Sequence, residues 1–141
     1  MVGKKRRYAL ADSAQQLVGG FLLAGPFVVT EEVWVLARNM TVWHGIVTLS
    51  LVFAIGYGAL YKADDGRDPD READVAGIPL RFLSLMLVAF GSVIILAMAF
   101  AAPQTFLSDL SVNARYEVTA KAVSVGAIFS VVGAATADSV F

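Results

Sequence analysis

The chain has 141 residues, of which 57% are hydrophobic and 16% are charged, and its net charge at pH 7 is −1. This apolar fraction exceeds the roughly 45–50% of soluble domains, and the mean hydropathy of +0.69 likewise indicates an integral membrane protein. Because cysteine is absent, disulfides and thiolate metal sites are excluded. A single histidine also excludes a histidine-rich metal centre within one protomer.

Four successive basic residues open the chain at positions 4–7, directly ahead of the first apolar run. A similar cluster begins a signal peptide, but this apolar run leads into Glu31 and Glu32 and not into a small-residue cleavage site. We therefore interpret the basic cluster as an anchor on the cytoplasmic side of a membrane, in preference to a nucleic-acid-binding segment.

The first predicted membrane span covers residues 14–37, with Gly25 and Pro26 in its middle and Glu31 and Glu32 near its end. Because proline lacks an N–H group, the helix is expected to kink at Pro26, either as a hinge or as a static bend. A charged side chain inside a membrane span costs about 3 kcal/mol, so the two acids need a partner or a function. The alternative is that both are solvated at the level of the lipid headgroups.

Three further apolar segments predict membrane spans at residues 42–61, 78–102 and 114–137, each long enough to cross a bilayer. Trp34 and Trp43 flank the turn between the first two spans. Tryptophan is enriched where membrane meets water, so this pair predicts an aromatic belt at that interface.

The segment 62–77 is strongly hydrophilic and rich in aspartate. Its acids do not follow the ligand order of an EF-hand calcium loop, so a solvated loop is the better interpretation. Four spans place both termini on one side, together with this loop and eight of the eleven basic residues. The positive-inside rule therefore predicts cytoplasmic termini and a cytoplasmic acidic loop, in the plasma membrane.

A second group of charges, Arg115, Glu117 and Lys121, opens the fourth span at the same predicted level as Glu31 and Glu32. Glu117 and Lys121 are four residues apart, in the favourable order for an ion pair on a helix. The five residues are expected to form a charge network. Such a network is either a clamp between the first and fourth helices or part of an ion pathway.

Small residues recur at every fourth position of the last span: Ala122, Gly126, Ser130 and Ala134. Small side chains let helix backbones approach closely in lipid, so this stripe predicts a helix-packing face. The stripe ends at Asp138, near the predicted cytoplasmic side. Arg81 or the basic N-terminus is expected to pair with this carboxylate.

The first two spans resemble a family of small integral membrane proteins of unknown function that is common in halophilic archaea. The resemblance is carried by the run Gly-Pro…Thr-x-Glu-Val-Trp, here Gly25, Pro26, Thr30, Glu32, Val33 and Trp34. It implies a membrane protein from a halophile, in agreement with the acidic loop, and it singles out Glu32 over Glu31. It implies no activity.

The sequence thus predicts an all-α polytopic membrane protein, a single four-helix transmembrane domain over residues 1–141 with its first helix kinked at Pro26. Acidic rings select cations, so we hypothesise an oligomeric cation channel or transporter-like assembly that uses Glu31 or Glu32. The alternative is a structural or accessory protein whose charges are interhelical clamps. Without an activated nucleophile, metal cluster or phosphate loop, we expect no enzyme, cofactor or nucleic-acid partner. The expected partners are the lipid bilayer, inorganic cations and further copies of the chain.

Topology can be tested with cysteines placed on the two predicted faces of the membrane, at Asp68 and at Asn39. Because one predicted span, residues 42–61, separates these positions, a membrane-impermeant thiol reagent should label them from opposite sides. Labelling of both from the same side would contradict the four-span arrangement.

Overall fold

The structure is a computed structural model that describes residues 8–62, 67–71 and 73–140. The basic cluster at positions 4–7 and part of the acidic loop lie outside the described residues. The helices are α1 (Leu10–Val28), α2 (Glu31–Asn39), α3 (Val42–Tyr57), α4 (Leu80–Ala99), α5 (Ala102–Phe106) and α6 (Val112–Val140). A π-helical turn, Gly58–Lys62, extends α3, and a 3-10 turn follows at Pro69–Arg71. A two-residue antiparallel hairpin, β1 (Asp74–Val75) and β2 (Ile78–Pro79), leads into α4.

The protein is an all-α polytopic membrane protein with three or four helical spans. Val42–Lys62, Leu80–Ala99 and Val112–Val140 are each long and apolar enough to cross a membrane, whereas α1 and α2 meet that requirement only together. The third predicted span, 78–102, corresponds to α4, which ends at Ala99. Ala101 adopts a left-handed backbone with φ of 54° and precedes the separate helix α5.

The first span contains the expected bend, but as a break and not as a kink within one helix. The α1 helix continues through Pro26 to Val28, and α2 then leaves at 78° to it. Side chains satisfy the carbonyls freed at the break: Thr30 Oγ1 donates to Phe27 O at 2.9 Å, and Trp34 Nε1 donates to Val28 O at 2.9 Å. The break thus lies at Val29 and Thr30, about one turn after the proline.

Helices α1 and α6 run antiparallel in close contact, and α4 packs beside both. Their closest approach is at Gly19 and Gly133, where a Cβ on either residue would overlap the backbone of the other. Ser130 Oγ donates to Gly20 O at 3.1 Å one turn away. The four residues of the predicted packing stripe are all buried. Gly126 faces α4, where its missing Cβ would lie 2.9 Å from Cγ1 of Val93.

Trp34 is not part of an aromatic belt. It is 2% exposed and stacks on Phe106 of α5 at a ring-centroid distance of 5.9 Å. It belongs to a core that α2, α5 and the first half of α6 form at one end of the bundle. Trp43, by contrast, is 75% exposed. We call this end of the bundle the Glu31 end and the opposite one, where α1 and α4 begin, the Tyr8 end.

The glycine contact yields a prediction about helix packing. Gly133→Ala forces a methyl group against the backbone of Gly19, so it should lower the free energy of unfolding by about 1–3 kcal/mol. Gly126→Ala should cost less, because it meets a side chain, Val93, and not a backbone. Thermal unfolding in detergent measures both.

Leu87→Ala is the matched control, because Leu87 is 76% exposed on the outer face of α4. It should leave the unfolding temperature almost unchanged. A Gly133→Ala protein as stable as the parent would contradict the close contact between α1 and α6.

Candidate functional site

Glu31 and Glu32 occupy the first turn of α2, where the helix dipole favours negative charge, and both side chains are exposed. Neither makes a hydrogen bond or an ion pair within residues 8–62, 67–71 and 73–140, although Glu31 lies in the field of Arg38. With Val35 and Leu36 they border a shallow hollow of about 420 Å³. The sequence predicts them near the end of the first, kinked helix. They lie instead in the first turn of a separate helix, since the chain breaks at Val29 and Thr30 and α2 leaves α1 at 78°.

The second predicted group of charges lies on α6, and only two of its members meet. Lys121 Nζ is 3.0 Å from Glu117 Oε1, and it also donates to Met40 O, at the end of α2, at 2.7 Å. Arg115 donates to Leu110 O at 3.4 Å. Within the described part of the chain, none of the three forms an ion pair with Glu31 or Glu32. The expected five-residue network is therefore not assembled within one protomer.

A contact that sequence spacing could not indicate joins α2 to the loop before α6. Arg38 donates hydrogen bonds to Asp109 from both of its terminal nitrogens, from Nη1 to Oδ2 at 3.1 Å and from Nη2 to Oδ1 at 2.5 Å. Its Nη2 also donates to Phe106 O at 2.7 Å. These hydrogen bonds from Arg38 hold the pKa of Asp109 below its usual value. Because the pair is exposed, its contribution to stability is modest.

A buried charge pair lies at the Tyr8 end. Arg81 Nη1 is 2.5 Å from Asp138 Oδ1, and the Asp138 side chain is fully buried. Arg81 also lies 3.3 Å from Asp12 on α1, and Arg67 of the loop approaches Asp138 at 3.9 Å. The predicted pairing of Asp138 with Arg81 is confirmed. It joins the beginning of α4 to the end of α6.

Gln16 connects this pair to a group of hydroxyls, although the sequence analysis did not identify it. It is fully buried on α1, and its Nε2 donates to Asp138 Oδ2 at 3.1 Å and to Arg81 O at 3.4 Å. Its Oε1 therefore faces the other way and accepts from Tyr8 at 3.1 Å and from Ser84 at 2.7 Å. Gln16 lies four residues before Gly20, on the same face of α1, and this spacing is the sequence feature that could have indicated its burial.

The buried cluster pairs opposite charges and is covered by an aromatic ring. Among the described residues, Asp12 and Asp138 lie against Arg67 and Arg81, which offsets the cost of burying ions. The ring of Tyr8 covers Arg81, with Cζ of the guanidinium 4.9 Å from the ring centroid. Burial raises the pKa of Tyr8, so its hydroxyl keeps its proton. The arrangement fastens α1, α4 and α6 together.

This pair can be tested by removing one partner. Asp138→Asn leaves the buried Arg81 without its closest counter-charge, so it should lower the free energy of unfolding by about 3–5 kcal/mol. Asp109→Asn is the control: it breaks an exposed pair, so unfolding in detergent should change little. Equal effects of the two substitutions would show that the Asp138 pair is not buried in the folded protein.

Cation sites built from acidic, histidine or cysteine side chains are not found: the described ranges contain no group of three such residues that could hold a metal ion. No curated protein and no solved structure matches the chain. A family model described as "Putative integral membrane protein (DUF2391)" matches residues 2–140, which is nearly the whole chain. The chain therefore belongs to this family of integral membrane proteins, whose function is unknown.

Proposed function

We propose that the protein is an oligomeric cation channel or transporter-like assembly, in which Glu31 and Glu32 line the mouth of a path between protomers. One observation carries the proposal: neither carboxylate forms an ion pair or a hydrogen bond with the described part of the chain, and only Glu31 lies in the field of a cation, Arg38. Rings of such acids attract and select cations. Lipid, inorganic cations and further copies of the chain are the proposed partners.

The other acids at the Glu31 end differ in this respect. Glu117 is neutralised by Lys121, and Asp109 by Arg38. Glu31 and Glu32 instead stand beside the exposed apolar side chains of Val35 and Leu36. A carboxylate on an apolar surface needs water or a mobile cation beside it. A second protomer packed against this face would enclose that water and cation together with the two acids.

The filled interior of the described part of the protomer supports a path between copies of the chain in preference to one through a single protomer. Two apolar clusters fill the two ends of the bundle, and Trp34, Leu60, Leu85 and Leu107 are almost completely buried in them. A closed symmetric ring is the simplest assembly that brings the same acids together around one axis.

We further propose that both termini face the cytoplasm in the plasma membrane, so that the Glu31 end faces outward. The run that resembles the haloarchaeal family would then have a structural role. Thr30 and Trp34 hydrogen-bond to the carbonyls at the break, and the break exposes Glu32. In a halophile, cations would be abundant on that face. The activity requires no cofactor and no enzymatic step.

A structural or accessory role is the second candidate, and a different observation favours it. Two ion pairs link separate elements, Arg81 with Asp138 and Arg38 with Asp109, as interhelical clamps do. Under this alternative Glu31 and Glu32 are merely solvated. The protein would then support a membrane complex and would conduct nothing by itself.

Ion flux in liposomes distinguishes the two candidates. Glu32→Gln and Glu31→Gln should each lower cation flux or selectivity severalfold without changing the unfolding temperature, because each removes one charge from every subunit of the ring. Glu117→Gln is the matched control, since Lys121 already neutralises that acid. It should leave the flux unchanged.

The two acids should not be equivalent, because neighbouring side chains point about 100° apart on a helix. Glu31 also lies in the field of Arg38, so Glu32→Gln should have the larger effect. A protein that conducts no ion under any gradient, or whose flux neither substitution alters, would exclude the channel and favour the structural role.

A further inference from the structure

Four oxygen atoms meet at the Tyr8 end, on the side of Gln16 away from the Arg81–Asp138 pair. The hydroxyls of Tyr8, Ser13 and Ser84 form a triangle with sides of 2.9, 2.8 and 2.9 Å. Oε1 of Gln16 lies 3.1 Å from the Tyr8 hydroxyl and 2.7 Å from that of Ser84. We call these four atoms the oxygen cluster.

The oxygen cluster has fewer protons than contacts. It contains five oxygen–oxygen contacts of hydrogen-bond length but only three hydroxyl protons, and Oε1 supplies none. Gln16 cannot rotate its amide to supply a further proton to the hydroxyls, because its Nε2 already donates to Asp138 and to Arg81 O. In at least two of the contacts, lone pairs of two oxygen atoms therefore face each other with no proton between them. A positive charge near the oxygens would relieve this repulsion.

A groove gives access to this cluster. It runs between α1 and α4, has a volume of about 220 Å³, and has Ser13 and Ser84 on its wall. Gly91 also borders it, and the space where a Cβ would stand is open. Ser13 and Ser84 therefore border open space on the outer side of the cluster.

We propose that the oxygen cluster binds a monovalent metal cation, held by the hydroxyls of Tyr8, Ser13 and Ser84 and by Oε1 of Gln16. Neutral hydroxyl and carbonyl oxygens replace the hydration shell of a monovalent ion, as in cation-selective filters. A divalent ion would need carboxylate ligands. The nearby carboxylates, Asp12 and Asp138, are already engaged by Arg81.

The charges around the cluster permit such an ion. Arg81 stacks on the ring of Tyr8, but Asp138 and Asp12 offset its charge. Arg67 lies 3.9 Å from Oδ2 of Asp138, so Gln16 and Asp138 stand between it and the hydroxyls. Gln16 sets the negative end of its amide dipole toward the hydroxyls. This site lies at the opposite end of the bundle from Glu31 and Glu32, so it does not depend on the proposed channel.

Thermal unfolding of the purified protein in detergent tests the site directly. Sodium, potassium and lithium chlorides are each titrated against choline chloride at constant ionic strength. One small cation should raise Tm by about 2–4 °C more than choline, and the rise should saturate. Ser84→Ala and Ser13→Ala should each lose at least half of that rise.

Ser92→Ala is the matched control, because Ser92 borders the same groove but is not part of the oxygen cluster. It should keep the full cation-dependent rise, as should Glu32→Gln. An equal rise in choline would overturn the proposal, since water alone would then satisfy the oxygens. A specific rise that survives Ser84→Ala and Ser13→Ala would also overturn it. Because the readout is stability, failure of the channel proposal leaves this test unaffected.

Discussion

The contact between the backbones of α1 and α6 is the constraint on which the rest of the structure depends. Gly19 and Gly133 allow an approach that any side chain would prevent. In lipid, where the hydrophobic effect does not draw helices together, such close packing holds them. The same alignment brings Gln16 beside Asp138, one turn nearer the Tyr8 end, so the buried polar groups can satisfy one another.

The break after α1 decides what the opposite end presents. With 19 residues, α1 is about 28 Å long, close to the thickness of a hydrocarbon core. The chain then turns by 78°, and Trp34 and Thr30 cap the carbonyls that the turn leaves free. One face of α2 packs into the core through Val33 and Trp34, and the other carries the two acids outward.

The charges described at the two ends of the bundle differ in how they are compensated. Buried ions are paired and hydrogen-bonded, as Asp138 is with Arg81 and Gln16, because an isolated charge in a dry interior is costly. At the Glu31 end, Glu117 and Asp109 form ion pairs, whereas Glu31 and Glu32 form none within the described residues. This difference, and not the mere presence of acids near a membrane, supports a role in cation movement.

The sequence by itself determined the fold class and the approximate position of the spans, because apolar composition and length set which segments can enter a bilayer. It also indicated the packing face of α6, because small residues at fixed spacing let helices approach closely. For Asp138 it offered two partners, Arg81 or the basic N-terminus, and the structure shows the pair with Arg81. Only the tertiary structure decided the break at Val29 and Thr30, whose capping groups come from a turn further on. It alone brought Tyr8, Ser13 and Ser84 together, because residues 76 positions apart meet only when α1 and α4 pack.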